Sequence, residues 1–397
     1  MKLLRRWCSP ACRLHTASMT PVPLPTTPRS FTCRCGRPVF FRNSQCLACL
    51  TPLGYDPRRR QLLPLEPALQ AGTWRRADSD TAPGSGQIYG RCANLDSAAA
   101  CNWLVDATQA ANPAGSLCCC CRLTRTLPDL SQPRNAEYWL RIATAQRRLV
   151  SGLIALQLPL RSKVGEDPAQ GLAFDLLRAA PGAPPVMTGH ADGVITIDVE
   201  EADDARREQR RSDLHEPYRT LLGHLRHETG HYYWQRLVLP HAEWLLQFRE
   251  LFGDERQDYG VALQAYYAGG APADWNTRHI SAYASCHPWE DWAETWAHYL
   301  HLVDTLDTAR SFGLDGSSVE LNYDRFDAAV LGPDNDGQAE QFVALINGWM
   351  ELTGVLNEMS RSMGVADFYP FVLSLPALRK LHLVHRVARA QDNGVNK

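Results

Sequence analysis

The 397-residue sequence has no apolar run approaching the ~18 residues that would suggest a membrane span. It also has no strong charge of either sign, because 41 Lys and Arg nearly balance 43 Asp and Glu and leave a net charge of −2. Such a balance gives no reason to expect a nucleic acid, a membrane surface or a strongly charged partner. The basic start of the chain lacks the apolar core of a secretory signal. We therefore expect a cytoplasmic protein, and we interpret residues 1–29 as a disordered leader.

Cysteine is scarce in most of the chain, because 12 of the 13 cysteines lie before residue 122 and only Cys286 follows it. An asymmetry of this size marks a domain boundary. In a protein that is not exported, the thiols are better interpreted as metal ligands than as disulfides. The length of 397 residues allows two domains and a large core. We therefore predict a metal-binding region at residues 30–130, followed by a second domain at residues 131–397.

The first cysteine cluster consists of two short-spaced pairs, Cys33-x-Cys35 and Cys46-x-x-Cys49, with ten residues between them. Two pairs that each turn back on themselves can place four thiolates at the corners of a tetrahedron, which is the geometry of a structural zinc site. We therefore predict a zinc ribbon with these four cysteines as the ligands.

The second cysteine cluster is less regular. Eight residues separate Cys92 from Cys101, and four consecutive cysteines run from Cys118 to Cys121. Within that run the first and the last have knuckle spacing, so the predicted second zinc set is Cys92, Cys101, Cys118 and Cys121. The two middle cysteines then become spare thiols, although the sequence alone does not fix this register. Zinc ribbons bind nucleic acid, dock proteins or only hold a small domain folded, so function must be inferred from elsewhere.

The motif that limits the chemistry most sharply is His227-Glu228-x-x-His231. Residues four apart share one face of a helix, so the two imidazoles could bind a single zinc ion. Glu228 would then lean over the open coordination position, where it could take a proton from water. Apolar residues at helical spacing, with Pro217 in the expected first turn and Pro240 at the expected end, predict a helix. The alternative is a polar helix whose histidines only form hydrogen bonds.

A second predicted helix, Trp289–Leu300, supplies the candidate third ligand, and Pro288 stands at its start. Glu290 and Glu294 are four residues apart and share a face. Glu290 would bind zinc, while Glu294 would orient a ligand histidine through its free ring N–H. The alternative is a solvated acidic helix edge, which the surrounding aromatic residues disfavour. His224 lies near the ligand face, and we expect it to support the site or to lie at the surface rather than to bind metal.

Two runs before the motif helix predict strands, at residues 172–177 and 193–199. By analogy with zinc peptidases, we interpret the second run as an edge strand that could pair with an extended substrate backbone. Periodic apolar residues predict further helices at residues 136–158 and 341–364.

The order of these motifs resembles that of the gluzincin metallopeptidases, in which H-E-x-x-H is followed by a ligand glutamate on a later helix. Tyr283 lies seven residues before Glu290, as a tyrosine does in the lethal-factor-like gluzincins. That match implies a hydrogen bond from Tyr283 to the developing oxyanion. More closely, the chain from Phe31 to His385 resembles the bacterial zinc-binding metallopeptidases that carry an N-terminal zinc-ribbon region. The segments that carry this resemblance are 101–105, 121–130, 226–234, 289–299, 361–364 and 369–373.

The resemblance implies an α+β protein, with an N-terminal double zinc-ribbon region followed by a mainly helical zincin-type (gluzincin) metallopeptidase domain with a small sheet. It also implies one catalytic zinc ion held by His227, His231 and Glu290, together with two structural zinc ions. In the hydrolysis of a peptide or protein substrate, Glu228 would be the general base and Tyr283 the oxyanion donor.

Two other functions remain open. The chain could be a non-enzymatic adaptor that zinc stabilises and whose ribbons bind a protein partner. The presence of Glu228 disfavours this function, because a purely structural zinc site needs no general base. Alternatively, the ribbons could bind nucleic acid, which the near-neutral net charge disfavours. We expect no membrane partner, and the sequence names neither a substrate nor an oligomeric state.

Overall fold

The computed structural model of the protein describes residues 27–77, 86–107, 112, 114–213, 216–314, 319, 323–332 and 338–390. A region of short strands and cysteine clusters comes first, and a mainly helical region with a small sheet follows it. The predicted α+β organisation is therefore confirmed. None of the described helices is long and apolar enough to span a bilayer.

The predicted leader lies mostly outside the described residues, since residues 1–26 and their two cysteines belong to that part of the chain. The prediction was wrong for its last three residues, which are ordered. The backbone N–H of Thr27 donates to Asp307 Oδ2 at 2.9 Å, and the buried Arg29 guanidinium lies 2.7 Å from Asp304 Oδ1. These partners hold the segment because buried donors and charges are stable only when they are paired.

The N-terminal region contains two antiparallel sheets. The first pairs β1 (Ser30–Thr32) with β2 (Pro38–Phe40). The second is a meander in sequence order, formed by β3 (Leu53–Asp56), β4 (Gln61–Pro67), β5 (Thr73–Arg76), β6 (Tyr89–Arg91) and β7 (Leu104–Asp106). Between the sheets, the buried rings of Tyr55 and Trp103 lie 5.1 Å apart, and Phe41 packs on Tyr55 at 4.7 Å. Such short strands bury little surface by themselves, which is why regions of this kind depend on aromatic packing and bound metal.

A four-stranded sheet opens the second region, with the order β10-β11-β9-β8. Its strands are β8 (Thr124–Thr126), β9 (Ala173–Leu177), β10 (Gly189–Ala191) and β11 (Val194–Asp198). The two predicted strands are present as β9 and β11. However, β11 pairs with β9 on one side and with β10 on the other, so the prediction of an edge strand at residues 193–199 was wrong. The edge strands are β10 and β8, and of these β10 lies against the motif helix.

Eight helices are described: α1 (Asn135–Ala155), α2 (Asp204–Asp213), α3 (Leu221–Tyr233), α4 (Ala242–Phe252), α5 (Tyr259–Gly269), α6 (Pro288–Ser311), α7 (Gln338–Ser362) and α8 (Leu375–Arg389). The helices predicted at residues 136–158 and 341–364 are confirmed as α1 and α7. α3 begins later than predicted, because Thr220 and not Pro217 starts it. The Thr220 hydroxyl accepts the N–H of Gly223 at 3.0 Å, which caps the first turn.

The two helices that carry the metal-ligand motifs, α3 and α6, pack directly against each other at Gly230. A Cβ placed on Gly230 would lie 2.8 Å from the Cα of Ala293, so only glycine allows this crossing. The Trp292 indole N–H donates to the carbonyl of Gly230 at 3.0 Å and fixes the same contact from the other helix. The small residue inside the motif therefore sets how closely the two halves of the site approach.

Candidate metal centre

α3 and α6 bring His227, His231 and Glu290 together. One nitrogen from each histidine and one oxygen from the glutamate lie within 4.8 Å of one another. Nε2 of His227 is 2.9 Å from Glu290 Oε2, and Nε2 of His231 is 3.5 Å from Glu290 Oε1. The histidines reach this point from adjacent turns of α3, and Glu290 reaches it from the first turn of α6, where helix N-termini favour a carboxylate.

The donor set fits a zinc ion. Two imidazole nitrogens and one carboxylate oxygen are the usual protein ligands of a zinc site that keeps one position open. Glu290 is 1% exposed, and its Oε2 has no hydrogen-bond donor among the described residues. Burial raises the pKa of the Glu290 carboxyl, but His231 and His227 more than offset this and lower it well below its usual value. A buried carboxylate oxygen that lacks a donor fits a cation beside it.

Glu294 supports the site from one turn further along α6. Its Oε1 lies 2.7 Å from His227 Nδ1, and its Oε2 accepts the hydroxyl hydrogen of Ser281 at 2.6 Å. This contact favours a proton on Nδ1 of His227, which leaves Nε2 free to face Glu290. The structure thus puts Glu294 where the sequence predicted it, beside a candidate ligand histidine.

Tyr259, at the start of α5, contacts the same site and had no counterpart in the sequence analysis. Its hydroxyl donates to Glu290 Oε1 at 2.7 Å, while Oε2 faces His227. Burial and the Glu290 carboxylate raise the pKa of Tyr259, so the phenol remains a donor. No residue of α5 is buried. The helix therefore covers the site with little packing of its own. No local pattern in the sequence pointed to this contact.

Glu228 lies on the same helix, between the two histidines, and is 4% exposed. Its Oε1 is 3.4 Å from Nε2 of His224, one turn earlier. Its Oε2 is buried and receives no hydrogen bond from the residues that the structure describes. His224 itself does not belong to the group of candidate ligands, and its Nδ1 lies 2.5 Å from Glu201 Oε2. The sequence analysis did not predict this contact, although the spacing of four between His224 and Glu228 is a signal from which it could have been found.

Tyr283 lies in a short 3₁₀ turn before α6. The centroid of its ring is 6.0 Å from that of His227 and 5.7 Å from that of Tyr266 on α5. The tyrosine suggested by the family resemblance is therefore a neighbour of the candidate ligands. Trp289 packs on the other histidine, with ring centroids 3.9 Å apart.

The eight predicted cysteine ligands form two separate groups of four, and within each group the sulfur atoms lie within 4.8 Å of one another. In the first group, Sγ of Cys33 is 3.6 Å from that of Cys49, and Cys35 is 3.8 Å from Cys46. In the second, which consists of Cys92, Cys101, Cys118 and Cys121, Cys101 and Cys118 are 3.7 Å apart. Two further thiols of the run, Cys119 and Cys120, are not part of either group.

Comparison with known proteins assigns both regions. A family described as "Putative zinc-binding metallo-peptidase" matches residues 135–387, and a zinc-ribbon domain family matches residues 30–132. Two uncharacterized proteins of Mycobacterium tuberculosis strains and one of Mycobacterium bovis are each 42% identical to this chain over 360 residues. The alignment covers 90% of this chain and 95% of each relative. No solved structure matches the chain.

Proposed function

This chain belongs to the zinc-binding metallopeptidase family and carries an N-terminal zinc ribbon, and from that premise we propose that it is a zinc-dependent peptidase of the gluzincin type. One observation carries the proposal. Beside the three candidate ligands His227, His231 and Glu290, the buried Oε2 of Glu228 lacks a donor among the described residues. An ionised carboxylate with a free oxygen beside an open metal position can act as a general base.

The catalytic roles divide among the chain's own residues. A zinc ion bound by the three ligands would polarise a carbonyl and lower the pKa of water toward ~7. Glu228 would accept the proton of the attacking water on Oε2 and return it to the leaving amine. Tyr283 would donate a hydrogen bond to the oxyanion, and Glu294 would hold His227 with Nε2 toward the metal position.

For the substrate backbone we propose the free edge of β10, in place of the strand that the sequence suggested. His190 on β10 has its ring centroid 6.5 Å from that of His231, so the strand passes beside the candidate ligands. An extended peptide could add to this edge by main-chain hydrogen bonds, as peptides do at other sheet edges. The substrate would then be an unfolded segment or a peptide.

For the two cysteine groups we propose two structural zinc ions, since four thiolates in a tetrahedral group are the usual ligands of such sites. Reduced thiols at this density fit a reducing compartment, and we therefore propose a cytoplasmic location. The ribbons would hold the N-terminal region folded and offer a surface for a protein partner.

A second candidate function is a zinc-stabilised adaptor without catalytic activity. The observation that favours it is burial, because His227, Glu228, His231 and Glu290 are each at most 8% exposed. A site that only folds around its metal would be buried in this way. A peptidase would instead need this site to open before a substrate could enter.

Zinc content and peptide cleavage, measured together, test the proposal. We expect three zinc ions in the wild type and in Glu228→Gln, two in Glu290→Ala, and cleavage of a peptide library by the wild type alone. Glu243→Gln, an exposed substitution on α4, is the matched control and should keep both metal and activity. Three zinc ions without any cleavage that depends on Glu228 would favour the adaptor. Two or fewer zinc ions in the wild type would contradict the assignment of the centre.

A further inference from the structure

We propose that Glu201 and His224 form a dyad that positions Glu228, so that one oxygen of this carboxylate is held and the other is presented to the reacting water. The proposal rests on the proposed function, because it assigns His224 and Glu201 as positioning residues for the same reaction. Neither residue follows from the family motif.

The two oxygens of Glu228 are not equivalent. Oε1 is 3.4 Å from Nε2 of His224, whereas Oε2 is buried and has no donor within the described part of the chain. A carboxylate with two free oxygens could rotate about its last bond, since that torsion has broad minima. The contact from one side removes this freedom. It thereby selects Oε2 as the oxygen that is available to accept a proton.

Glu201 holds the imidazole in the orientation that this contact requires. Its Oε2 lies 2.5 Å from Nδ1 of His224, and it is 3% exposed. Its other oxygen accepts the hydroxyl hydrogen of Thr188 at 2.9 Å and lies 3.4 Å from the Arg210 guanidinium. Arg219 adds a more distant ion pair at 3.9 Å. Both oxygens of Glu201 are therefore held by partners, and Glu201 in turn restricts the orientation of the His224 ring.

The protons of His224 follow from its two neighbours. Each ring nitrogen faces a carboxylate oxygen, and a carboxylate only accepts hydrogen bonds. Both contacts are therefore satisfied when Nδ1 donates to Glu201 and Nε2 donates to Glu228. An imidazole that donates from both nitrogens cannot bind metal. This agrees with the absence of His224 from the ligand group that the described residues form.

The dyad also links the sheet to the motif helix. Glu201 stands in the 3₁₀ turn Val199–Ala202, directly after β11, and His224 stands in the first turn of α3. The position of Glu228 is thus fixed by the sheet as well as by its own helix. A shift of a catalytic carboxylate by a fraction of an ångström costs rate without any loss of metal, because proton transfer depends on geometry.

A double-mutant cycle with three readouts tests the dyad. The variants are His224→Ala, His224→Gln, Glu201→Gln, Glu228→Gln and His224→Ala with Glu228→Gln, and the control is His241→Ala, an exposed histidine before α4. Zinc content is measured first. The affinity for acetohydroxamate is measured next, since this small chelator gives up a proton to a neighbouring carboxylate when it binds zinc. Peptide cleavage is the third measurement.

We expect His224→Ala to retain three zinc ions, to bind acetohydroxamate about 10-fold more weakly, and to lower kcat by about 10- to 100-fold with little change in KM. Glu201→Gln should also lower acetohydroxamate affinity and kcat. His224→Gln keeps a hydrogen-bond donor, so both quantities should fall less in this variant. In the Glu228→Gln background, His224→Ala should change acetohydroxamate affinity by less than about 2-fold, because a positioning residue acts only through its target.

Three results would overturn the dyad: loss of zinc in His224→Ala and His224→Gln alike, the same loss of acetohydroxamate affinity in both backgrounds, or no change in acetohydroxamate affinity and kcat. The first two would assign His224 a purely structural role. Failure of the peptidase function gives a different result, which is a wild type that cleaves nothing while the acetohydroxamate cycle remains intact. The two proposals can therefore fail independently.

Discussion

Arg29 and Asp304 form a buried ion pair that joins the segment before the first zinc ribbon to the helix that carries Glu290. Arg29 Nη2 lies 2.7 Å from Asp304 Oδ1, and its Nη1 donates to the Ser151 hydroxyl at 2.9 Å. Two more arginines, Arg148 and Arg226, reach the other oxygen of Asp304 at 2.6 Å each. Arg226 directly precedes His227, so one carboxylate connects the N-terminal region, α1, the motif helix and α6.

Replacing Arg29 should destabilise the protein while leaving the metal ligands in place. We expect Arg29→Ala to lower the free energy of unfolding by about 3 kcal/mol, because it breaks a buried pair and leaves a hydroxyl without its donor. The remaining arginines keep Asp304 paired, so the fold should survive. Urea unfolding gives the measurement, and Arg42→Ala, an exposed arginine of the same region, is the control. Equal stability of the two variants would contradict this account.

Asp307, one turn after Asp304, should make stability depend on pH. Burial raises the pKa of its carboxyl to about 6, although the Thr27 N–H and Arg310 oppose the shift. An acid whose folded-state pKa exceeds its unfolded value of 3.8 stabilises the fold fully below 3.8, and this contribution disappears as the pH rises through about 6. As the pH rises from about 4 to about 7, the free energy of unfolding of Asp307→Asn should therefore increase by roughly 3 kcal/mol relative to that of the wild type.

The measurement for this prediction is urea unfolding of both proteins across that pH range. Asp324→Asn, an exposed aspartate, should follow the wild-type curve. A constant difference between Asp307→Asn and the wild type would show that Asp307 does not change its protonation in this range.

The sequence predicted the parts of this structure that depend on local spacing. α1, α7 and the motif helix follow from apolar residues at helical intervals, and the four-residue spacing of His227 and His231 puts both on one face. In each case the physical cause acts within a few turns of one helix.

Contacts between distant segments could not be predicted in this way. Glu201 and His224 are 23 residues apart, Tyr259 and Glu290 are 31 apart, and Arg29 and Asp304 are 275 apart. No periodic pattern encodes such pairs, because they depend on how the elements pack. For the same reason, the sequence identified β11 as a strand but wrongly predicted that it is an edge strand, whereas β10 is the edge strand beside α3. Edge position depends on pairing partners and not on composition.

Glu294 offers a test of the metal centre that does not require a substrate. We expect Glu294→Gln to weaken zinc binding at the third site, which consists of His227, His231 and Glu290, by about 10- to 100-fold. The reason is that the contact that holds His227 Nδ1 loses its charge. Competition with a chelator that reports free zinc measures this affinity. The two cysteine groups supply the internal control, since their zinc should remain bound in the variant. A third site with unchanged affinity would mean that Glu294 does not orient the histidine.

Gly230→Ala should be destabilising although alanine is the better helix former. The added Cβ would lie 2.8 Å from the Ala293 Cα, and neither backbone can move away without opening the α3–α6 contact. We expect a loss of about 1–3 kcal/mol, which outweighs the gain of ~1 kcal/mol in helix propensity. Gly348→Ala on α7 is the matched control, because its nearest neighbour would be 3.9 Å away. That control should be neutral or slightly stabilising, and equal effects of the two substitutions would argue against the steric explanation.

Tyr259 connects α5 to the candidate ligand Glu290, and its removal should affect metal affinity. In Tyr259→Phe the ring remains between His287 and Trp289, with centroids at 5.3 and 5.9 Å, but the hydroxyl that donates to Glu290 Oε1 is lost. A hydrogen bond to a carboxylate contributes about 1.5–3 kcal/mol, so zinc affinity at this site should fall by roughly 10-fold.

The same substitution should loosen α5, because this helix buries none of its residues and loses its hydrogen bond to Glu290. Faster amide exchange over Tyr259–Gly269, measured with zinc bound, would show this directly. Tyr266→Phe is the control, since its ring packs on Tyr283 and the Tyr259 contact is untouched. If Tyr259→Phe retains both the zinc affinity and the protection of α5 against amide exchange, the hydrogen bond to Glu290 stabilises neither the metal site nor the helix. If both are lost together, the order of α5 and the geometry of the candidate metal ligands both depend on the Tyr259 hydroxyl.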